Sequence, residues 1–274
     1  MKNKIILSLS FLLLLFLGYY GHVWISELNQ VQSKIQRSKM TPVIFVPGSS
    51  ATINRFDDLF SNINAKNVNH SILKVKVNTD NTLSFSGSIK SSDKEPFIVI
   101  GFQDNEDGYT NIKKQAKWLT IALEALQKRY HFRTFSAIGH SNGGLNWTIF
   151  FEKYYDRNSF DVPILMTLGT PFNFSENSLN RKTEMLNDLI SDSHNLPKNL
   201  QMISVAGTED YTDDGIVPIQ SVIAGKYVYQ KTVKSYTQIT VSGDNAQHSS
   251  LPENPETVKL IESNILKHNK RSNR

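Results

Sequence analysis

The hexapeptide Gly139-His140-Ser141-Asn142-Gly143-Gly144 constrains the fold of this chain more than any other stretch. It has the form G-x-S-x-G and lies between an apolar run, Thr134 to Ile138, and a run with helical spacing. A strand that stops there and reverses at once into a helix pushes the intervening serine out of the sheet. Glycines two positions to either side make that reversal sterically possible. Short patterns of this kind also occur as ordinary glycine-rich turns, so the flanking chain has to decide the reading.

The flanks alternate between the two regular periods. Pro42 to Val46 is a short β-branched run that ends in Pro47-Gly48-Ser49-Ser50, and a helical pattern follows through Phe56, Leu59, Phe60 and Ile63. Residues 71 to 89 alternate apolar and polar side chains around Asn78 to Asn81, which predicts a hairpin. Phe97 to Ile100 is continuously apolar, as a strand buried on both faces must be. Ile112, Ala116, Leu119, Leu123, Leu126 and Tyr130 recur at spacings of 4, 3, 4, 3 and 4, one stripe of a long helix. After Ser141 come a helix through Leu145, Ile149 and Tyr155 and a strand from Val162 to Leu168. Two further strands, Leu200 to Ala206 and Val233 to Val241, precede a last helix from 256 to 267. Strands separated by crossovers of this length pair in parallel, so the fold class is a doubly wound α/β sheet, whose working residues collect at the carboxyl ends of strands.

Residues 173 to 199 break the rhythm. They read as an inserted cap whose Met185, Leu186, Leu189 and Ile190 either cover the site or form a helix packed on its own domain. The loop Asp104-Asn105-Glu106-Asp107-Gly108 lacks the alternate carboxylates and the twelfth-position Glu of a calcium loop, and reads as an acidic cluster at a helix start.

Ahead of this body, Lys2 and Lys4 introduce an uncharged run from Ile5 that closes on Tyr19, Tyr20 and Trp24. A helix from Ile5 to Ile25 would be roughly 31 Å long at about 1.5 Å per residue, enough to span a bilayer. Residues 1 to 25 are therefore expected to be a signal anchor, or a signal peptide if cleaved. Residues 26 to 40 form a polar stalk, and a domain from 41 to 270 lies on the extracellular face of the cell membrane or is secreted. Lys plus Arg exceed Asp plus Glu by only 30 to 25, and no basic stripe carries interleaved aromatics, which argues against nucleic acid as a partner. The absence of cysteine excludes disulfides, a thiol nucleophile, thiolate metal sites and a lipidated Cys.

A serine hydroxyl becomes a nucleophile at neutral pH only beside a base whose tautomer a carboxylate fixes. Downstream of Ser141, the strand ending near Ala206 leads into Gly207-Thr208-Glu209-Asp210-Tyr211-Thr212-Asp213-Asp214-Gly215, where several acids compete. The strand ending at Val241 leads into a loop whose single histidine, His248, is the expected base. The order Ser, acid, His, each after a strand, follows the nucleophile-elbow scheme.

From Pro42 to the last helix the chain resembles the α/β-hydrolases, and within them a Gram-positive group of cell-surface hydrolases of unknown substrate. The resemblance rests on Phe45-Val46-Pro47-Gly48-Ser49-Ser50, Asp104-Asn105, Gly139 to Gly144, Pro171-Phe172-Asn173, Asp214-Gly215-Ile216-Val217-Pro218 and His248-Ser249-Ser250-Leu251. It implies an α/β-hydrolase fold and makes Asp214, in its D-G-x-V setting, the triad acid ahead of Asp210 and Asp213. The oxyanion hole would use the backbone N–H of Asn142 and that of Ser49, with Ser50 as the neighbouring alternative, because Pro47-Gly48 replaces the His-Gly of many relatives. Asn142 stands where Met is common, and its side chain is expected to matter little.

The function expected is that of an extracytoplasmic serine hydrolase acting on a small-molecule or lipid acyl substrate, most simply a carboxylic ester, without metal or organic cofactor. Lipase, thioesterase and peptidase are variants of that chemistry. A membrane-tethered binding protein on an idle hydrolase scaffold is the reading from another class.

Overall fold

The structure, a computed structural model, describes residues 13–25, 40–66 and 69–266. Its core is an eight-stranded sheet in the order β3-β2-β4-β1-β5-β6-β7-β8. The strands are β1 Val43–Val46, β2 Ile72–Val77, β3 Leu83–Gly87, β4 Phe97–Phe102, β5 Ser136–His140, β6 Ile164–Leu168, β7 Gln201–Thr208 and β8 Ser235–Ser242. Only the β2–β3 pair is antiparallel, the expected hairpin, with Asn78–Asn81 in its turn.

The helices are α1 (residues 13–25), α2 Asp57–Asn64, α3 Tyr109–Tyr130, α4 Asn142–Lys153, α5 Glu184–Asp192, α6 Ile219–Ile223, α7 Lys226–Tyr229 and α8 Pro255–Asn264. Pleating divides each central strand between two cores. Ile44, Val46, Ile98 and Ile100 pack with α3, α4, α5 and α7, while Val43, Phe45, Phe97 and Val99 pack with α2 and α8. This two-sided cover explains why β1 and β4 are buried at every position and read as continuous apolar runs. Helix α4 lies deepest: every residue but Lys153 is buried, and Trp147, Phe150 and Phe151 close its back with ring contacts. Truncating one of these rings to Ala would cost about 3–5 kcal/mol.

The structure moves one boundary, decides between two alternatives and describes part of a third stretch. The elbow strand runs from Ser136 to His140, two residues beyond the apolar run, because Gly139 and His140 pair with Thr167 and Leu168 while Thr134 makes only an isolated bridge to Asp161. Within 173–199, Met185, Leu186 and Leu189 of α5 are buried in the same core as α4. Of the two readings of that stretch, the packed helix is the one α5 follows: it is the crossover from β6 to β7, and its apolar face is spent on the core rather than over the serine. Of the leader, α1 is described, with Leu13 to Leu17, Tyr19, Tyr20 and Trp24 exposed. Among the described residues no helix is long and apolar enough to cross a membrane. Residues 1–12, the stalk up to residue 39 and the end of the expected domain, 267–270, lie outside the described residues.

From β1 the chain builds outward through β4 on one side and through β5 to β8 on the other. The carboxyl ends of β1 and β5 therefore flank the switch point where a doubly wound sheet opens a crevice. Pro47 to Ser50 and Ser141 sit at those two ends.

Candidate active site

Ser141 occupies the single-residue turn between β5 and α4 with φ 53° and ψ −130°, a conformation that costs an L-residue about 1–3 kcal/mol. The surroundings hold it there. Its N–H donates to Leu168 O at 2.8 Å, and its carbonyl accepts from Gly144 N and from Thr170 Oγ1, both at 3.0 Å. Gly143 is obligatory for the reversal, since a Cβ there would stand 2.0 Å from Val46 O. Gly48 brings the loop after β1 against the serine: a Cβ on it would meet Ser141 Cβ at 2.5 Å and Oγ at 3.1 Å.

His248 and Asp214 arrive from the loops after β8 and β7. Their side chains are joined by Nδ1 to Oδ2 at 2.7 Å, and both residues are buried, Asp214 to 1% exposure. The other oxygen, Oδ1, accepts from Val217 N at 2.7 Å and Ile216 N at 3.1 Å, and Asp214 O accepts from His248 N at 2.7 Å. The D-G-I-V segment thus turns back to satisfy the carboxylate with its own backbone, leaving one oxygen for the imidazole. The competing acids are spent locally. Asp210 accepts from Thr212, Asp213 from Gly215 N, and Glu209 from Gln247. The pair lies beside the serine's own anchor: a Cβ on Gly169, the residue after Leu168, would be 3.1 Å from both Asp214 Oδ2 and His248 Nδ1.

The backbone donors named from sequence lie on the same crevice. Ser50, itself at φ 58°, donates its N–H to Asn105 O at 2.8 Å, so of the two adjacent serines only Ser49 keeps its N–H without an acceptor among the described residues. The N–H of Asn142, in the first turn of α4, is also without one and points out of the helix end, where the macrodipole favours negative charge.

The Asn142 side chain departs from its expected indifference. Its Nδ2 donates to Asp107 Oδ1 at 2.6 Å and to Ser49 Oγ at 3.2 Å, tying together the two residues that carry the free N–H groups. Asp107 belongs to the acidic loop, which braces the β1 loop elsewhere as well: Asn105 Nδ2 donates to Ala51 O at 2.7 Å. The first turn of α3 itself carries no acid, and the loop's acids lie just ahead of it: Asp107 Oδ1 accepts from the N-cap Gly108 N at 2.7 Å and Asp104 Oδ1 from Asn111 Nδ2 at 2.7 Å.

Two further residues were not singled out from sequence. His140, at the end of β5, is buried, and its Nε2 donates to His248 O at 2.9 Å, with the two rings 4.7 Å apart. Burial first, then the neighbouring His248, holds its pKa well below the usual imidazole value, so the ring is neutral. Arg55 links the β1 loop to the His248 loop through Glu253, with Nη1 to Oε1 at 2.7 Å, and through Ser249 O. A histidine that directly follows the apolar run Ala137-Ile138-Gly139 was a readable signal. Arg55 and Glu253 are 198 residues apart, and nothing local announces their pairing.

Comparison with known structures places the fold. A protein of Lactobacillus plantarum WCFS1, whose role as a cell surface hydrolase is itself provisional, is 48% identical; the match covers 85% of this chain and 96% of that one with a TM-score of 0.76. A gene product of Listeria innocua is 27% identical, covering 81% of this chain and 92% of its own, with a TM-score of 0.73. The mature lipase BlEst2 of Bacillus licheniformis, 12% identical over 82% and 91% of the two chains with a TM-score of 0.50, shares the fold. Comparison with proteins of curated function returned no match. Residues 30–268 match the family described as alpha/beta hydrolase of unknown function (DUF915), and the chain belongs to that family.

Proposed function

We propose that this protein is an extracytoplasmic serine hydrolase that cleaves carboxylic esters through an acyl-enzyme. The observation that carries the reading is the buried His248–Asp214 hydrogen bond of 2.7 Å, set beside the strained serine turn. In the first step Ser141 Oγ attacks the acyl carbon while His248 Nε2 takes its proton. Asp214, already bonded to Nδ1, fixes the tautomer this requires and stabilises the imidazolium. The carbonyl oxygen, now negative, receives the N–H groups of Ser49 and Asn142. Collapse breaks the bond to the alcohol, which leaves with the proton from His248. Water then gives its proton to His248 and attacks the acyl-serine, and a second collapse returns that proton to Ser141 and frees the acid.

Location outside the cytoplasm rests on the basic and apolar leader and on the cell-surface role provisionally given to the Lactobacillus relative. The leader would hold the domain at the membrane as an uncleaved anchor.

A fluorophosphonate probe tests the chemistry directly. Folded protein should be labelled at Ser141, and Ser141→Ala should not be. Absence of labelling, or equal labelling of Ser141→Ala, would sink the catalytic reading and leave a binding protein. Rates across p-nitrophenyl esters of increasing acyl length would then separate a lipid-like substrate from a short acyl group.

A further inference from the structure

The sheet has a second end. Five of the loops that enter the parallel strands carry an exposed cation: Lys94 before β4, Arg133 before β5, Arg157 before β6, Lys198 before β7 and Lys234 before β8. Three of them, Arg133, Arg157 and Lys198, converge on a cleft of about 550 Å³ with Thr134, Tyr155 and Asn199. None of the three has a carboxylate in salt-bridge range among the described residues. The cleft's single acid, Asp161, is bonded instead to Asn199 Nδ2 at 3.2 Å and more loosely to Thr134 Oγ1 at 3.4 Å. Arg133 Nη2 donates to Arg157 O at 2.8 Å, which holds the two loops together and leaves its remaining N–H groups to the cleft. Burial first and the Asp161 carboxylate next hold the Tyr155 phenol above its usual pKa, while Arg157 and Arg133 draw it back, so charges of both signs reach the cleft wall.

This is also the end at which the leader joins the domain. Met40 and Thr41 lead into β1 here, and β1 pairs with β5 from Val43 and Ser136, with Ser136 N donating to Pro42 O at 3.1 Å. The serine crevice opens at the opposite end, where Glu106, Asp107, Glu209, Asp210 and Asp244 are exposed together with Tyr211 and Ile216, and where Arg181 and Lys182 of the segment after β6 are the exposed cations. A domain held at a bilayer by residues 1–25 would have at most 17 residues between Ile25 and Val43, a reach of about 60 Å at roughly 3.5 Å each. The strand-entry end, rich in unpaired guanidinium and ammonium groups, is the one that chain would turn toward the headgroups. Anionic lipid attracts juxtamembrane cations, and Arg chelates phosphate oxygens bidentately.

We infer that the Arg133–Arg157–Lys198 cleft binds the headgroup phosphate of an anionic phospholipid and seats the domain with its serine crevice facing away from the bilayer. The inference rests on the reading of residues 1–25 as a membrane anchor, and the test separates the two. The chain has no cysteine, so Asn195→Cys gives a single labelling site beside the cleft. The full chain, labelled there with a fluorophore, is reconstituted into phosphatidylcholine vesicles with and without phosphatidylglycerol, each containing a headgroup-level quencher. Flotation with both kinds of vesicle reports the anchor; failure to float removes the anchor and with it the seating. Given flotation, quenching should rise with phosphatidylglycerol and fall with added salt. In Arg157→Gln/Lys198→Gln, which keeps the Arg133 contact to the 157 carbonyl, it should return to the level of phosphatidylcholine alone, with ester turnover and Tm unchanged. Equal quenching of parent and variant would overturn the proposal. A label that responds in detergent to sn-glycerol 3-phosphate but not to phosphatidylglycerol would assign the cleft to soluble phosphate and overturn the lipid reading as well.

Discussion

Helix α4 joins two regions that treat charge in opposite ways. At its first turn, Ser141, Asn142, His248 and Asp214 are buried, and nearly every polar atom around them is matched by backbone or by a neighbouring side chain. Near its last turn Glu152 is also buried, at 5% exposure, yet its Oε1 has no hydrogen-bond partner among the described residues. Asp214 and Glu152 are therefore equally deep carboxyls with different surroundings. The first is met by an imidazole and two N–H groups, whereas burial pushes the pKa of the second up to about 9, with Asp192 adding to the shift and Lys153 opposing it. Depth alone says little about what a buried acid does; the donors arranged around it decide whether it is a working charge or a neutral filler.

The sharpest way to break this contrast is at the serine. Ser141→Ala should lower kcat for an activated ester by roughly 10⁴- to 10⁶-fold, because members of such a triad act as a unit. Its Tm should stay near that of the parent, because the anchoring bonds all involve backbone atoms of residue 141. Next in size is Asp214→Asn. It preserves shape but presents an amide to His248 Nδ1 and favours the wrong tautomer, so kcat should fall by about 10³- to 10⁴-fold. Asp210→Asn and Asp213→Asn, whose carboxylates are bonded within their own loop, should keep kcat within about threefold of the parent. A comparable loss in either would remove Asp214 from its role.

A smaller effect is expected where the sequence reading and the structure part. Asn142→Ala leaves the backbone donor in place but cuts the tie from Asn142 to Ser49 and Asp107. If that tie sets the spacing of the two N–H groups, kcat should drop about tenfold with KM little changed, the signature of an interaction realised in the transition state. Asp107→Asn should show part of the same loss. Unchanged kcat in Asn142→Ala would return the side chain to the indifference first expected of it.

The strand and helix order, the serine turn and the histidine loop were legible because each is written locally, in a period of apolar residues or in glycines flanking a serine. The acid was legible only to the loop. Choosing Asp214 from Glu209, Asp210 and Asp213 depends on Ile216 and Val217 folding back to donate to it, which is a matter of three-dimensional closure. The same limit applies to Ser49 over Ser50, which turns on a contact with Asn105 from a different strand end. The stretch at 173–199 stayed open between two readings for another reason. Helix α5 is short and amphipathic, and spacing alone cannot tell a face packed on α4 from one laid over a crevice.

The last test concerns the other end of α4 and should leave chemistry untouched. Glu152 has an ordinary value of 4.5 and a folded value of about 9, so between those limits the unfolded chain releases a proton that the folded protein retains. The folded state binds more protons there, and stability falls as pH rises through that window, the reverse of what a paired carboxylate contributes. Glu152→Gln keeps the shape and removes the titration. At pH 8.5, four units above the ordinary value at about 1.4 kcal/mol each, it should be more stable than the parent by up to about 5 kcal/mol, with the difference shrinking toward zero as pH approaches 4.5. Ester turnover at neutral pH should match the parent within a factor of about two. Urea unfolding of both proteins across this range checks the slope. Parallel stability curves would mean that Glu152 is ionised when folded and has donors around it after all, and the contrast between the two ends of α4 would collapse into a difference of degree.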